Sequence, residues 1–292
     1  MLKQNLPAAS ADAPREFSIF TPTEVVSGDE ANEDLTTFVN FLEKEGVDVV
    51  RPDITDCNYY NYCPRDSVIV YKDKAIATPM PLRARRNEYK AYEKHLENVN
   101  AFDIMRSDEL YNPNCLGDRE VLALTEHEPA FDAANVIRAN DDLLYLVSNS
   151  GNKSGASLLQ SIVDGKVHVV EGIYSYMHLD STVAFLRDGL MLLNPSRIKD
   201  VSQLPEPFCH WDYIMAPEPV NIGYHEPYKN SSPWVSMNLL SINEKLVVLE
   251  KHQEPLRKAL EKQGIECAML PMRHAITLGG CFHCVTVDLI RD

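Results

Sequence analysis

The chain has 292 residues, 45% of them hydrophobic and 24% charged, with 12 glycines and 18 prolines, which is the make-up of a globular protein with a large core rather than a disordered or fibrous one. Its 43 acidic and 28 basic side chains leave a formal charge of −15, a field that repels phosphate backbones and anionic lipid. Arg83-Ala84-Arg85-Arg86 is the only compact basic stretch, so neither nucleic acid nor a membrane is an expected partner.

The 7 cysteines fall at irregular spacing and do not read as a secreted disulfide framework. No apolar run approaches the length of a membrane span or a signal peptide, and a cytoplasmic location is expected. Residues 1–15, rich in Pro, Ala and Ser, read as a flexible tail ahead of a single domain over 16–292.

In chain order, a helix from about Asn32 to Glu45 ends at Gly46 and leads into the strand-like DVVRP. A first hairpin follows, SVIVY and AIATPM around Lys72-Asp73-Lys74, and then a helical stretch from Asn87 to Val99. A second pairs NVIRA with LLYLVS around Asn140-Asp141-Asp142, followed by a helix from Ser154 to Val163 and the strand VHVVEGI. The third joins STVAFLR to LMLLNP through Asp188-Gly189, which suits the positive φ of a two-residue turn. The fourth joins SMNLLSI to KLVVLE at Asn243-Glu244, with a helix from Glu254 to Gln263 and the strand ECAML behind it.

No such unit can bury its apolar face alone, whereas a ring of units can. The pattern predicts an α/β propeller with polar residues converging at the inner strand ends. An open mixed sheet with helices on its faces is the alternative.

Three segments carry candidate chemistry. Thr277 to Asp288 (TLGGCFHCVTVD) places two glycines before a β-rich stretch with Cys281, His283 and Cys284. Either thiol becomes a nucleophile in an electropositive, partly exposed setting, although a free cysteine is more often an inert apolar filler. The C-x-x-C spacing has no second pair, which makes a zinc or redox reading weak, and on a strand the two sulfurs would face opposite sides.

In YMHLD, alternation puts His178 and Asp180 on one face. In EHEPAFDAANVIR, Asp132 lies within an apolar stretch and needs a partner if buried. For Asp132 the alternative is a turn cap, and Asp66, in Cys63-Pro64-Arg65-Asp66-Ser67, is a similar candidate whose alternative is a pairing with Arg65 or a turn cap.

Together CPRDSVIV, TPMPLRARRNEYKAY, EPAFDAANVIRA, MHLDSTVAFLRDGLMLLNPSR, SSPWVSMNLLSINEK and RHAITLGGCFHCVTVD resemble, in order, the amidinotransferases of the guanidino-modifying (pentein) superfamily. The resemblance spans Cys63 to Asp288. It implies a pentein-type five-bladed α/β propeller built from ββαβ-like repeats, and a homodimer by analogy. It also implies an enzyme that moves the amidino group of L-arginine to a small primary amine, glycine being one candidate, with release of ornithine.

By the same resemblance Cys284 is the nucleophile, His178 the proton-transfer residue and Asp132 the carboxylate that orients it. Asp66 and Asp180 match carboxylates that hold the guanidinium, while Arg197, Ser231 and Ser232 fall where relatives bind the donor's α-carboxylate. Ser175 and Met177 belong to a loop that covers the site in the family. Ser175 stands where the glycine enzyme has Asn, which bears on the acceptor. No metal or organic cofactor is expected. Nothing before Phe17 matches the Asn-Glu-Trp-Asp-like segment that opens relatives, so the first unit is expected to be built differently. The alternative is hydrolysis of arginine, as in deiminases and dihydrolases, by the same Cys-His-Asp groups.

Overall fold

Each of the four hairpins is joined by a third strand to make four three-stranded sheets. The structure, a computed structural model, describes residues 28–52, 62–96, 99–102, 108–115 and 121–290. The first sheet contains β1 (Val68–Tyr71), β2 (Lys74–Ala77) and β3 (Val99–Ala101); the second β4 (Val136–Ala139), β5 (Asp142–Leu146) and β6 (Val167–Val170). The third contains β7 (Val183–Arg187), β8 (Leu190–Leu193) and β9 (Asp212–Met215), and the fourth β10 (Leu240–Asn243), β11 (Leu246–Glu250) and β12 (Glu266–Leu270).

In every sheet the hairpin is antiparallel and the third strand returns parallel to the second. Arg187 pairs with Leu190 across Asp188-Gly189, and Gly189 takes φ +73° as the turn requires.

The middle strands are apolar at nearly every position because both of their faces are covered. On β5, Leu143 and Tyr145 pack with Ile69 and Ile76 of the first sheet, while Leu144 and Leu146 pack with Met191 and Leu193 of the third. On β8, Leu190 and Leu192 turn the other way, toward Val247 and Leu249 of the fourth sheet. The core is thus made between units rather than within them, which is why a lone unit would have no stable fold. The first strand of each sheet faces a shared cavity of about 1140 Å³, lined at one end by Arg65, Asp180 and His283.

Helix α1 (Gly28–Lys44) lies against the fourth sheet, where Phe38 meets Phe282 edge-on with ring centroids 4.8 Å apart. Helix α2 (Lys153–Ile162) is capped by Asn152, whose side chain accepts from Gly155 N, and covers the second sheet. Helix α3 (Glu254–Glu261) opens with Pro255 and packs Leu256 and Leu260 beneath the fourth. A short α4 (Ala275–Leu278) ends at Gly279, in the left-handed conformation at φ +76°. No helix among the described residues is long and apolar enough to cross a membrane.

Three expectations are corrected. DVVRP forms no strand in its described part, so the described residues build four sheets and no fifth. The described part of the stretch from Asn87 to Val99 holds no α-helix but two 3-10 turns, Glu88–Ala91 and Glu93–His95, with Val99 already in β3. Its Glu88 is drawn inward by Arg85, which binds both carboxylate oxygens. The stretch after Gly279 is a series of turns, not a strand, because the amides of Cys281 and Cys284 are taken by the Asn238 side chain instead of a ladder. The tail over residues 1–15 lies outside the described residues.

Candidate active site

Two clusters meet at the inner ends of the sheets. In the first, Cys284 Sγ lies 3.3 Å from Asp180 Oδ2, and the same oxygen accepts from Asn238 Nδ2 at 2.7 Å and His283 Nδ1 at 3.1 Å. Asn238 organises this group: its Oδ1 accepts from Cys281 N and Cys284 N at 3.0 and 2.9 Å, and its carbonyl accepts from His283 N. One amide side chain therefore fixes the thiol-bearing turn and the carboxylate beside it.

In the second cluster, His178 Nε2 is 2.9 Å from Asp132 Oδ2, and Nδ1 faces Asp66 Oδ1 at 3.6 Å. Asp132 opens a 3-10 turn, Ala133–Asn135, held by Asn135 Nδ2 donating to Leu146 O and Ser148 Oγ. Leu179 N donates to Ala134 O, which ties the His178 segment to the Asp132 turn. Asp66 Oδ2 accepts from Arg85 at 2.8 Å, and Arg85 is shared with Glu88. Asp66 Oδ1 and Asp132 Oδ1 are buried and accept no hydrogen bond from any described residue.

The local field follows from burial and these neighbours. Burial disfavours a charged His178, but the carboxylates of Asp66 and Asp132 outweigh it and raise the imidazole to about 9. Burial works against ionised Asp180 too, yet the hydrogen bond from His283 and the nearby imidazole charges bring it to about 2. His283 is pushed down from its ordinary value by burial and by the Arg65 charge. The Cys284 thiol is pushed well up, first by its hydrogen bond with Cys63, then by burial and the Asp180 carboxylate. The resting site at neutral pH pairs an imidazolium with a neutral thiol. Asp66, Asp132, Asp180 and Glu88 face Arg85 and His178, an excess of negative charge suited to a cationic group.

No protein-family model matches the chain. It is 39% identical over 284 residues to inosamine-phosphate amidinotransferase 1 of Streptomyces glaucescens, covering 90% of this chain and 80% of that one. The chain belongs to the amidinotransferase family. It is also 34% identical to an L-arginine:L-lysine amidinotransferase of Pseudomonas savastanoi pv. phaseolicola, over 90% of this chain and 79% of that protein. The solved inosamine-phosphate amidinotransferase of Streptomyces griseus superposes with a TM-score of 0.86 at 38% identity, covering 92% of this chain and 82% of that one.

In this amidinotransferase, Cys284, His178, Asp132, Asp66 and Asp180 are brought into one buried neighbourhood, and each of the last three carboxylates acts electrostatically on His178. Arg197 donates to Ser181 Oγ and Thr182 Oγ1 at 2.8 and 2.7 Å and lies over the Tyr174 ring, close enough to feel Asp180. Ser231 N bonds Ile276 O, which attaches its segment to α4 just ahead of Cys284. Ser232 precedes the 3-10 turn Pro233–Met237. Ser175 and Met177 are half-buried on the loop before His178, and Ser175 O accepts from Asn149 N.

Two sequence readings change. Asp66 pairs with Arg85, not with Arg65, which reaches Asp288 instead. Arg85 is accordingly buried and is no part of a solvent-facing basic patch. The site also holds Arg85, Asn238, His283 and Cys63, which the sequence reading does not assign to it. The Arg85-x-x-Glu88 spacing, with opposite charges three apart in an otherwise mixed segment, was the available signal for the first. Nothing local marked Asn238, whose role depends on contacts with distant segments.

Proposed function

We propose that this amidinotransferase moves the amidino group of L-arginine to a small primary amine, through an amidino-cysteine on Cys284, with release of ornithine. The reading is supported chiefly by the Cys284 thiol lying against Asp180 in a site where Asp66 offers a buried carboxylate oxygen with no hydrogen bond from the described residues. A guanidinium is a planar fork of N–H donors, and carboxylates placed around it fix its central carbon for attack.

In the proposed sequence the bound guanidinium offsets the carboxylate charge that suppresses Cys284 ionisation, and the thiol loses its proton to solvent. The thiolate then attacks the guanidino carbon and a C–S bond forms. Imidazolium His178 gives its Nδ1 proton to the departing nitrogen as the C–N bond breaks and ornithine leaves, while Asp132 holds Nε2. The acceptor amine then attacks the same carbon and loses a proton to His178, and the C–S bond breaks to return the thiolate. Arg197, Ser231 and Ser232 are assigned to the donor's α-carboxylate, and Ser175 and Met177 to the acceptor side. We assign the whole activity to one domain over 16–292, with α1 as the described part of the propeller's first unit.

The assay is incubation with arginine alone and with a panel of amines comprising glycine, lysine and a phosphorylated inosamine. Ornithine that appears only with an amine is the expected product. Citrulline formed without ornithine would replace transfer by hydrolysis.

The pH dependence is constrained as well. Below about pH 9 the free enzyme carries a protonated His178 and a neutral Cys284, whereas the attacking state has one proton fewer. The kcat/KM for arginine should therefore rise by about tenfold per pH unit on approaching about 9 from below. A profile already flat between about pH 6 and about pH 8 would mean that Cys284 is a thiolate before arginine binds.

A further inference from the structure

The mechanism leaves two buried thiols unused, Cys63 and Cys281. Cys63 is 2% exposed and its side chain lies beside that of Cys284. Both side chains sit on the same small residue: a Cβ at Gly280 would lie 2.8 Å from Cys63 Sγ, 2.7 Å from Cys284 Cβ and 3.3 Å from Cys284 Sγ. The strand of chain carrying Cys63 is docked along the Cys284 turn on both sides of this contact. Tyr62 Oη donates to Gly280 O, Arg65 N to Cys284 O and Arg65 Nε to His283 O. Cys281, the neighbour that the C-x-x-C spacing suggests, instead packs among Phe38, Val248 and Phe282.

We propose that Cys284 is a site of reversible covalent modification, forming an intramolecular disulfide with Cys63 on exposure to a peroxide. The inference rests on Cys284 being the reactive thiol of the site. The Cys284 sulfur, ionised as its proton is lost to solvent, attacks one peroxide oxygen, the O–O bond breaks and hydroxide leaves, which produces a sulfenic acid. The Cys63 sulfur, ionised as its proton is lost, attacks the sulfenic sulfur; the S–S bond forms and the sulfenic oxygen leaves as water once protonated. The net change is two thiols oxidised and one peroxide reduced to two waters.

A partner already in contact makes the second step unimolecular, so it outruns a further bimolecular oxidation to sulfinic acid. Backbones held together on both sides of the contact leave little movement for the disulfide to require. The linked enzyme has no nucleophile, and a thiol reductant restores it.

The test treats the full chain with hydrogen peroxide, blocks remaining thiols with an alkylating reagent, and maps peptides without reduction. The expected result is a Cys63 peptide joined to the Cys284 peptide, together with complete loss of activity that dithiothreitol reverses. In Cys63→Ser the same exposure carries Cys284 to sulfinic acid and the loss is not reversed. A parent enzyme whose Cys284 is sulfinic while Cys63 remains alkylatable, or is joined to Cys281, overturns the proposal. The linkage map requires no turnover, so it fails independently of the amidino-cysteine reading, which is tested by the adduct formed with arginine.

Discussion

Replacing Cys284 by alanine is expected to remove ornithine release, a fall of roughly four to six orders of magnitude, since the attacking atom itself is lost. Arginine should still bind, because Asp66 and Asp180 stay in place and Asp180 keeps its hydrogen bonds from Asn238 and His283. Steady-state ornithine release gives the first quantity and calorimetric titration with arginine the second. The combination separates a missing nucleophile from a damaged site. A Cys284→Ala enzyme that retained turnover within about tenfold of the parent would move the chemistry to another group.

Asp132→Asn is expected to be nearly as severe, on the order of 10³–10⁴-fold in kcat, with a much smaller change in the affinity for arginine. The carboxylate does two things for His178: it fixes the ring through Nε2 at 2.9 Å, and with Asp66 it keeps the imidazole charged up to about 9. Asparagine preserves shape but removes the charge, and its amide can donate to the ring and so invert the tautomer. The charged imidazolium that the leaving nitrogen needs as an acid is then less populated at neutral pH, and a neutral ring with its proton held on Nδ1 cannot take one from the acceptor amine. Single-turnover ornithine formation measured against arginine binding checks this. A loss under about tenfold would confine Asp132 to a packing role.

The fold was legible where periodicity is strong. The four hairpins announce themselves as paired apolar runs around short polar turns, and Asp188-Gly189 names its own turn geometry. Residues 87–99 misled because their polar spacing suits a helix, while tertiary demand for Glu88 beside Arg85 pulls the chain into 3-10 turns. The turn carrying Cys284 misled for a related reason: β-branched and aromatic residues suggested a strand, but Asn238 takes the amides a strand would have used.

Of the site, His178, Asp132 and Cys284 are legible only through the family resemblance, since local pattern leaves each with an inert alternative. What no local reading supplies is distance through space. Cys63 against Cys284, Arg85 against Asp66 and Asn238 under both Asp180 and Cys284 arise only when segments apart in the sequence pack together.

The most direct measurement is mass spectrometry of enzyme quenched during turnover with arginine and no acceptor amine. The account predicts a single amidino group attached to Cys284, which disappears when a competent acceptor is added and is absent in Cys284→Ala. Turnover accompanied by an unmodified Cys284, or by an amidino group on another residue, would contradict it.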